Sequence, residues 1–179
     1  MTDSYHTVLQ TAESAGLEIL LIGGHAVNAL GYERTTLDLD FMAVTDDLEK
    51  WKTLLASKGF KLLYEVGAFI QFASPHTDGF RVDLMLVDAS TFSKIASASL
   101  RVQYGSVPVR VPCVLHMIAL KLHALKNPER EKLGKDYGDI RALILRHSID
   151  TNSAEFQGIL NRYASSTVRT KLMRDIHES

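Results

Sequence analysis

A chain of 179 residues with 46 % hydrophobic and 23 % charged residues is long enough to bury a core and has the balance of an ordinary soluble protein. A formal net charge of -1 excludes the indiscriminate affinity for nucleic acid of a strongly basic chain, and a single cysteine, Cys113, excludes a disulfide framework or a cysteine-based zinc cluster. The start MTDSYHTVLQ lacks a basic-then-apolar leader pattern and no apolar run approaches the roughly 18 residues that span a bilayer, so a cytoplasmic location with no membrane partner is expected.

The charge is unevenly spread. Residues 1–50 hold nine acidic groups and two basic ones, whereas residues 101–179 hold thirteen basic and eight acidic. An acidic metal-binding end facing a basic helical end suits a nucleotide between them; a solvated surface accounts for the same counts.

In chain order, Tyr5, Val8, Leu9 and Ala12 recur at helical spacing, predicting a helix from Tyr5 to Ala15 that Gly16 ends. Leu17 to Ile22 is nearly all apolar and reads as a buried strand. Gly23 and Gly24 turn the chain into a short helix over His25 to Leu30, and Gly31 closes it. A second strand is predicted from Thr35 to Val44. Asp46 and Asp47 are placed to cap the following helix, whose apolar face is Leu48, Trp51, Leu54 and Leu55. Phe60–Val66 and Ala68–Ala73 read as strands turning at Gly67. After a Ser-Pro-His-Thr-Asp-Gly turn comes a stronger strand, Phe80 to Val87, then a helix over Ser90–Ser99. Leu100–Gln103 and Val107–Val111 predict a hairpin around Tyr104-Gly105-Ser106, at a sheet edge because of Pro108 and Pro112. From Cys113 onward the pattern is helical, over residues 113–126, 131–147, 153–163 and 166–176. The expected fold is therefore α/β, a small mixed sheet flanked by helices with a C-terminal helical extension. Residues 1–112 form the expected α/β domain and residues 113–179 a helical tail packed on it.

The candidate chemistry lies between Leu21 and Val44. Side chains two apart on a strand share a face, so Asp38 and Asp40 point the same way and Leu37, Leu39 and Phe41 take the opposite face. Adjacent carboxylates repel and lose hydration unless a cation joins them, and Mg²⁺ or Mn²⁺, bound through oxygen ligands with phosphates completing the shell, is the simplest remedy. An exposed acidic strand face is the plainer account. Asp83 sits in mid-strand between apolar residues and needs a partner, either Arg81 or a tail lysine, or else a place beside Asp38 and Asp40 as a third carboxylate. In the latter case it serves as general base or metal ligand. Gly23 and Gly24 allow close approach of a phosphate to the backbone, though a strand-to-helix turn needs them with no ligand. Arg34 is placed to contact a phosphate and Thr36 to orient Asp38, while His25 is either structural or near the phosphates. In the tail, Lys121 either snorkels or meets a triphosphate. Lys135 and Asp139 form an i,i+4 pair, and Asp136 falls off the apolar stripe and is expected to face solvent. His116 and His123 are assigned to packing or the surface, and Trp51 and the phenylalanines to the core.

The order Gly23-Gly24-x-Ala26, Gly31, Arg34-x-Thr36-x-Asp38-x-Asp40, then Asp83 on a later apolar strand, resembles the polymerase-beta-type nucleotidyltransferase superfamily. Within it, the pattern looks most like the small bacterial branch holding AbiEii-type toxins and the aminoglycoside and lincosamide nucleotidyltransferases. The resemblance covers roughly residues 17–87. It continues loosely into the tail, where Lys121 and Lys135-Asp136-x-x-Asp139 look like the lysine and Lys-Asp-x-x-Asp elements of the AbiEii-type branch. It implies that the double glycine holds the triphosphate, that Asp38, Asp40 and Asp83 bind Mg²⁺, and that a nucleoside monophosphate passes from an NTP to a hydroxyl. That hydroxyl is expected on RNA (tRNA included), a protein or a small molecule. A catalytically inactive nucleotide-binding or toxin–antitoxin regulatory module is the alternative.

Overall fold

The computed structural model describes residues 2–75, 80–104, 107–129 and 134–178. The chain divides into two compact units. One comprises Met1–Ala29 with Arg34–Pro112, the other Leu30–Glu33 with Cys113–Ser179. Among the described residues no helix is long and apolar enough to cross a membrane.

The first unit is built on a five-stranded mixed sheet. Its strands are β1 (Leu20–Leu21), β2 (Leu39–Val44), β3 (Lys61–Val66), β4 (Phe69–Ala73) and β5 (Arg81–Val87), in spatial order β1-β2-β5-β4-β3. β2 and β5 run parallel, and every other neighbouring pair is antiparallel. Period-two alternation is plain in β5, where Val82, Leu84 and Leu86 are buried and Arg81 is exposed. The core face also takes Leu39, Phe41 and Ala43 from β2 and Ile70 and Phe72 from β4. Helices α1 (Thr2–Ser14), α3 (Leu48–Ser57) and α4 (Ala89–Ser97) belong to this unit, with α3 against β3, α1 against α3 and α4 against β2. Trp51 and Leu55 are the buried anchors of α3. Between β1 and β2 lies α2 (Gly23–Ala29), and β6 (Leu100–Tyr104) pairs with β7 (Val107–Val111) as a separate two-stranded sheet.

Several boundaries differ from the sequence expectation. The first strand shortens from Leu17–Ile22 to β1, whose Leu20 and Leu21 are in ladder register with Met42 and Phe41. β2 starts at Leu39 rather than Thr35, so Asp38 precedes the ladder, and Leu37 is 64 % exposed instead of sharing the buried face. Asp47 occupies the N-cap position of α3 without a capping bond; its carboxylate accepts from Lys50 at 2.6 Å. The cap is made instead at α4, where the Asp88 carboxylate accepts from the Thr91 N–H. Phe69 is 51 % exposed, contrary to its assignment to the core. The end of the predicted 74–79 turn, Gly105-Ser106 of the hairpin turn and the start of the predicted 131–147 helix lie outside the described residues.

The second unit contains α5 (Val114–Ala124), α6 (Lys135–Arg146), α7 (Ala154–Tyr163) and α8 (Ser166–His177). α5 packs on α6 and α7, and α6 on α8, around Met117, Leu122, Ile140, Leu143, Phe156 and Leu172. Ser153 and Ser165 cap α7 and α8 by accepting from Phe156 and Val168 N–H groups. The Leu30–Glu33 loop joins this unit, its Leu30 carbonyl accepting from His147 Nε2 at 2.9 Å.

Candidate active site

The parallel pairing of β2 with β5 sets Asp40 directly opposite Asp83. Cross-strand partners lie on the same face of a sheet, and here it is the face away from the core, since Leu39, Phe41, Val82 and Leu84 are buried. Both aspartates are half-buried. Asp83 is steadied from its other side: Gln71 is its register partner on β4 and donates from Nε2 to Asp83 Oδ1 at 2.9 Å. Arg81 in turn donates to Gln71 Oε1 at 3.3 Å. Arg81 therefore reaches Asp83 through Gln71, a relay the sequence pattern does not disclose.

The double glycine has a direct packing reason. Gly23 has φ +64°, and a Cβ there would collide with the Asp40 carboxylate; a Cβ on Gly24 would overlap the Thr36 hydroxyl and crowd Arg34 Nη1 at 3.0 Å. The Ile22 N–H donates to the Asp40 carbonyl at 2.9 Å, which ties the turn to β2. Gly23 thus cradles Asp40, and Gly24 makes room for Thr36 and Arg34. The loop between α2 and β2 is held by Asn28, whose side-chain amide donates to the Arg34 carbonyl at 2.9 Å and whose Oδ1 accepts from the Arg34 N–H at 3.0 Å. Asn28 and Gln71 are positioning residues that sequence reasoning missed. The one available signal was a lone amide inside the otherwise apolar Ala26–Leu30 stretch; Gln71 could be found only from the strand register.

His25 is buried, with Nδ1 hydrogen-bonded to Tyr104 Oη at 2.7 Å and the rings edge-on. Burial, reinforced by the Arg34 guanidinium, holds its pKa below the ordinary value against the opposing pull of Asp38. Asp38 and Arg34 are thus electrostatic neighbours of His25, although Asp38 lies outside the ladder that fixes Asp40. Among the described residues no group of three or more His, Cys, Asp or Glu side chains is disposed to hold a metal ion. The donor chemistry still fits a hard divalent cation: Asp40 and Asp83 are neighbouring all-oxygen donors, and the Asp40 carboxylate fills the space that a side chain at Gly23 would take. Mg²⁺ commonly uses one or two carboxylates and completes its shell with water and phosphate.

In the helical unit the structure brings together Lys121, Asp136 and Asp139. Lys121 Nζ lies 2.7 Å from Asp136 Oδ1 and 2.8 Å from Asp139 Oδ2, and all three side chains are buried. Asp136 accordingly does not face solvent, contrary to the sequence expectation. It falls four residues before Ile140, on the buried stripe of α6, and Lys121 supplies the charge that permits this. Lys135 is exposed.

The fold was compared with solved structures. It matches a solution structure of the antibiotic-resistance factor ANT(2'')-Ia with a TM-score of 0.70 at 13% identity, over 98% of this chain and 96% of that one. The chain adopts the polymerase-beta-type nucleotidyltransferase fold. The lincosamide antibiotic adenylyltransferase LnuA, bound to lincomycin, matches with a TM-score of 0.59 at 15% identity, over 80% of this chain and 96% of that one. A nucleotidyltransferase-like antigenic protein from Paracoccidioides brasiliensis also matches, with a TM-score of 0.59 at 18% identity, over 97% and 91% of the two chains. No family model matches the chain, and no curated protein matches it in sequence.

Three outcomes follow from this geometry. Gly23→Ala is expected to lower the unfolding free energy by at least about 1–2 kcal/mol, the cost of a left-handed non-glycine residue, before its collision with Asp40 is counted; urea melts measure it. Lys121→Ala should cost about 3–5 kcal/mol by leaving two buried carboxylates without their cation, and Lys121→Met combined with Asp136→Asn and Asp139→Asn should recover most of it. Because folding depresses the His25 pKa, its contribution is complete above the unfolded value of about 6.5 and is lost as pH falls through the folded value. Between pH 7.5 and 5.5 the wild type should therefore lose more stability than His25→Asn, as read from paired urea titrations.

Proposed function

We propose that this chain transfers a nucleoside monophosphate from an NTP to a hydroxyl acceptor and releases pyrophosphate. The single observation that carries the reading is the register of Asp40 against Asp83 on the open face of this fold, with Gly23 shaped around Asp40. The relatives support it: ANT(2'')-Ia was solved with adenylyl-2''-tobramycin, and LnuA is a lincosamide adenylyltransferase. We assign the chain to the same small branch, with ATP as the first NTP to test and the cytoplasm as its place of work.

In this reading Asp38, Asp40 and Asp83 hold Mg²⁺ or Mn²⁺ together with the triphosphate. When bound, the cation supplies charge neutralisation at the phosphates and a lower pKa for the attacking hydroxyl. Asp83 accepts the hydroxyl proton on the carboxylate that Gln71 orients. The hydroxyl oxygen then bonds to the α-phosphorus, the bond from that phosphorus to the α–β bridging oxygen breaks, and pyrophosphate leaves with the electron pair. Arg34, held by Asn28 beside Gly24, faces the developing negative charge. Thr36 packs over Gly24 and keeps the approach to Asp38 in place. Neutral His25 adds no charge of its own to the phosphate region. Lys121, Lys135, Asp136 and Asp139 are accessory in this scheme, Lys121 with the two aspartates as a buried cluster that shapes the helical unit.

Asp40→Asn should cut metal-dependent pyrophosphate release on the order of a hundredfold or more, measured with ATP, GTP, CTP and UTP over a broad acceptor panel. Binding of metal–nucleotide without any turnover by the wild type would instead assign a regulatory or toxin–antitoxin module. Failure to bind nucleotide at all would exclude both.

A further inference from the structure

The outer half of the sheet carries a feature that nucleotide transfer alone does not use. On β3 and β4, Tyr64 is 54 % exposed, Val66 58 % and Phe69 51 %. The register shows which face they occupy. Phe69 pairs with Met85 and Gln71 with Asp83, so Phe69 shares the Asp83 face. Strict alternation from Lys61 would place Leu63 and Glu65 on that face and turn Tyr64 and Val66 away. A shift in the β3–β4 register between Leu62 and Tyr64 reverses this. Tyr64 becomes the partner of Gln71 and Val66 the partner of Phe69. Bulges beside active sites commonly re-aim side chains in this way. The result is a row across the sheet, Asp40–Asp83–Gln71–Tyr64, with Val66, Phe69 and Met85 in the next row.

Two cations border the same patch. Lys61 pairs with Ala73, which pairs with Arg81, and both basic side chains are exposed. Described acidic side chains of these strands on this face are confined to Asp40 and Asp83, because Glu65 pairs with Ile70 on the other face, where it meets Lys52 of α3 at 2.9 Å. Beyond Asp40 and Asp83, these described strands offer a polycationic acceptor no counter-charge on this face. A planar aromatic group with an attached anion finds partners: exposed aromatics on an open sheet stack bases, and adjacent Lys and Arg hold phosphate. Tyr64 lies two strands from Asp83, about 10 Å at ordinary strand spacing, within the reach of one nucleotide.

We propose that this patch is the acceptor subsite and that it holds the end of a single-stranded nucleic acid, with bases on Tyr64 and Phe69 and backbone phosphate on Lys61 and Arg81. This rests on the nucleotidyl-transfer reading for its chemistry. The terminal hydroxyl of the strand forms the new bond to the α-phosphorus, its proton passes to Asp83, and the α–β phosphoanhydride breaks to release pyrophosphate. Two phosphate contacts ask little positive charge of the protein, which is compatible with the near-neutral charge of the whole chain.

The test uses the full chain and a fluorescein-labelled single-stranded RNA of about ten nucleotides, a length within the range that such platforms cover, followed by anisotropy. Tyr64→Ala and Phe69→Ala should each weaken binding about tenfold, and Lys61→Glu should weaken it comparably. Leu62→Ser is the control, because Leu62 is 49 % exposed on the same strand but pairs with Phe72 of the core face. It should leave binding unchanged. With two phosphate contacts, log affinity should fall with log salt at a slope of about -1.4. The subsite is overturned if the RNA does not bind, if Leu62→Ser matches Tyr64→Ala, if a free nucleoside monophosphate binds as tightly as the strand, or if sedimentation shows the patch buried between two copies of the chain. Acceptor-independent NTP binding, measured in parallel, separates this failure from failure of the parent reading: intact metal–nucleotide turnover with indifferent Tyr64 and Phe69 variants sinks only the subsite. RNA binding lost in those variants, without any turnover, leaves the platform and removes the transferase.

Discussion

Parallel pairing of β2 with β5 is the constraint on which the candidate site depends. This ladder sets Asp40 against Asp83 and, through the antiparallel β5–β4 pair, sets Asp83 against Gln71. Like charges on neighbouring strands are unfavourable, so the arrangement persists because surrounding contacts hold it. The apolar face beneath provides most of that hold: Phe41, Val82, Leu84 and Phe72 are all buried where the strands meet. The open face provides the rest, with the Gln71 amide directed to Asp83 and the Gly23 turn folded around Asp40. A one-residue slip of β2 would turn Asp40 into the core, and a slip of β5 would do the same to Asp83. The site is therefore as rigid as the central ladder at Asp40 and Asp83.

Asp38 has a different support. Alternation in the sequence made Asp38 and Asp40 equivalent members of one strand, whereas the ladder begins at Leu39. Asp40 is fixed by the sheet, and Asp38 by a loop that Asn28 clamps at Arg34. One carboxylate of the motif is thus rigid, while the position of the other follows the loop that carries Arg34 and Thr36. In the proposed reaction, adjustment to a nucleotide would fall to Asp38, Arg34 and Thr36 together, without disturbing β2.

Most elements were legible because each carries its own signal. Alternation marked β5, Gly67 marked the β3–β4 turn, and the switch from period two to helical spacing near Cys113 marked the tail. The β6–β7 hairpin was legible from its turn, but the pairings of β5 were not, since nothing in β2 or β4 alone names β5 as the partner. Tertiary packing also overrode two local readings. The stripe through Tyr137, Ile140 and Ile144 left Asp136 outside it, yet Asp136, Asp139, Ile140 and Leu143 form an equally good helical stripe with polar residues at its start. Lys121, fifteen residues upstream on another helix, makes that stripe acceptable by placing an ammonium between the carboxylates. Phe69 failed for the converse reason. Its aromatic character suggested a core residue, but the face it occupies is set by the register with Met85.

The double glycine shows how a motif can satisfy two demands at once. Read in sequence, it suggests close approach of a phosphate. In the structure, the space a side chain would fill is already taken by Asp40 at Gly23 and by Thr36 and Arg34 at Gly24. The glycines are required before any ligand arrives, because the groups assigned to nucleotide chemistry pack directly on their backbone. A substitution there would displace Asp40, Thr36 or Arg34 whether or not the turn touches phosphate. The identity of Gly23 and Gly24 therefore reports on the positions of the acidic and basic residues around them. Its value as evidence for nucleotide binding comes through Asp40 and Arg34, and the strand register that places Asp83 beside Asp40 carries more weight than the glycines themselves.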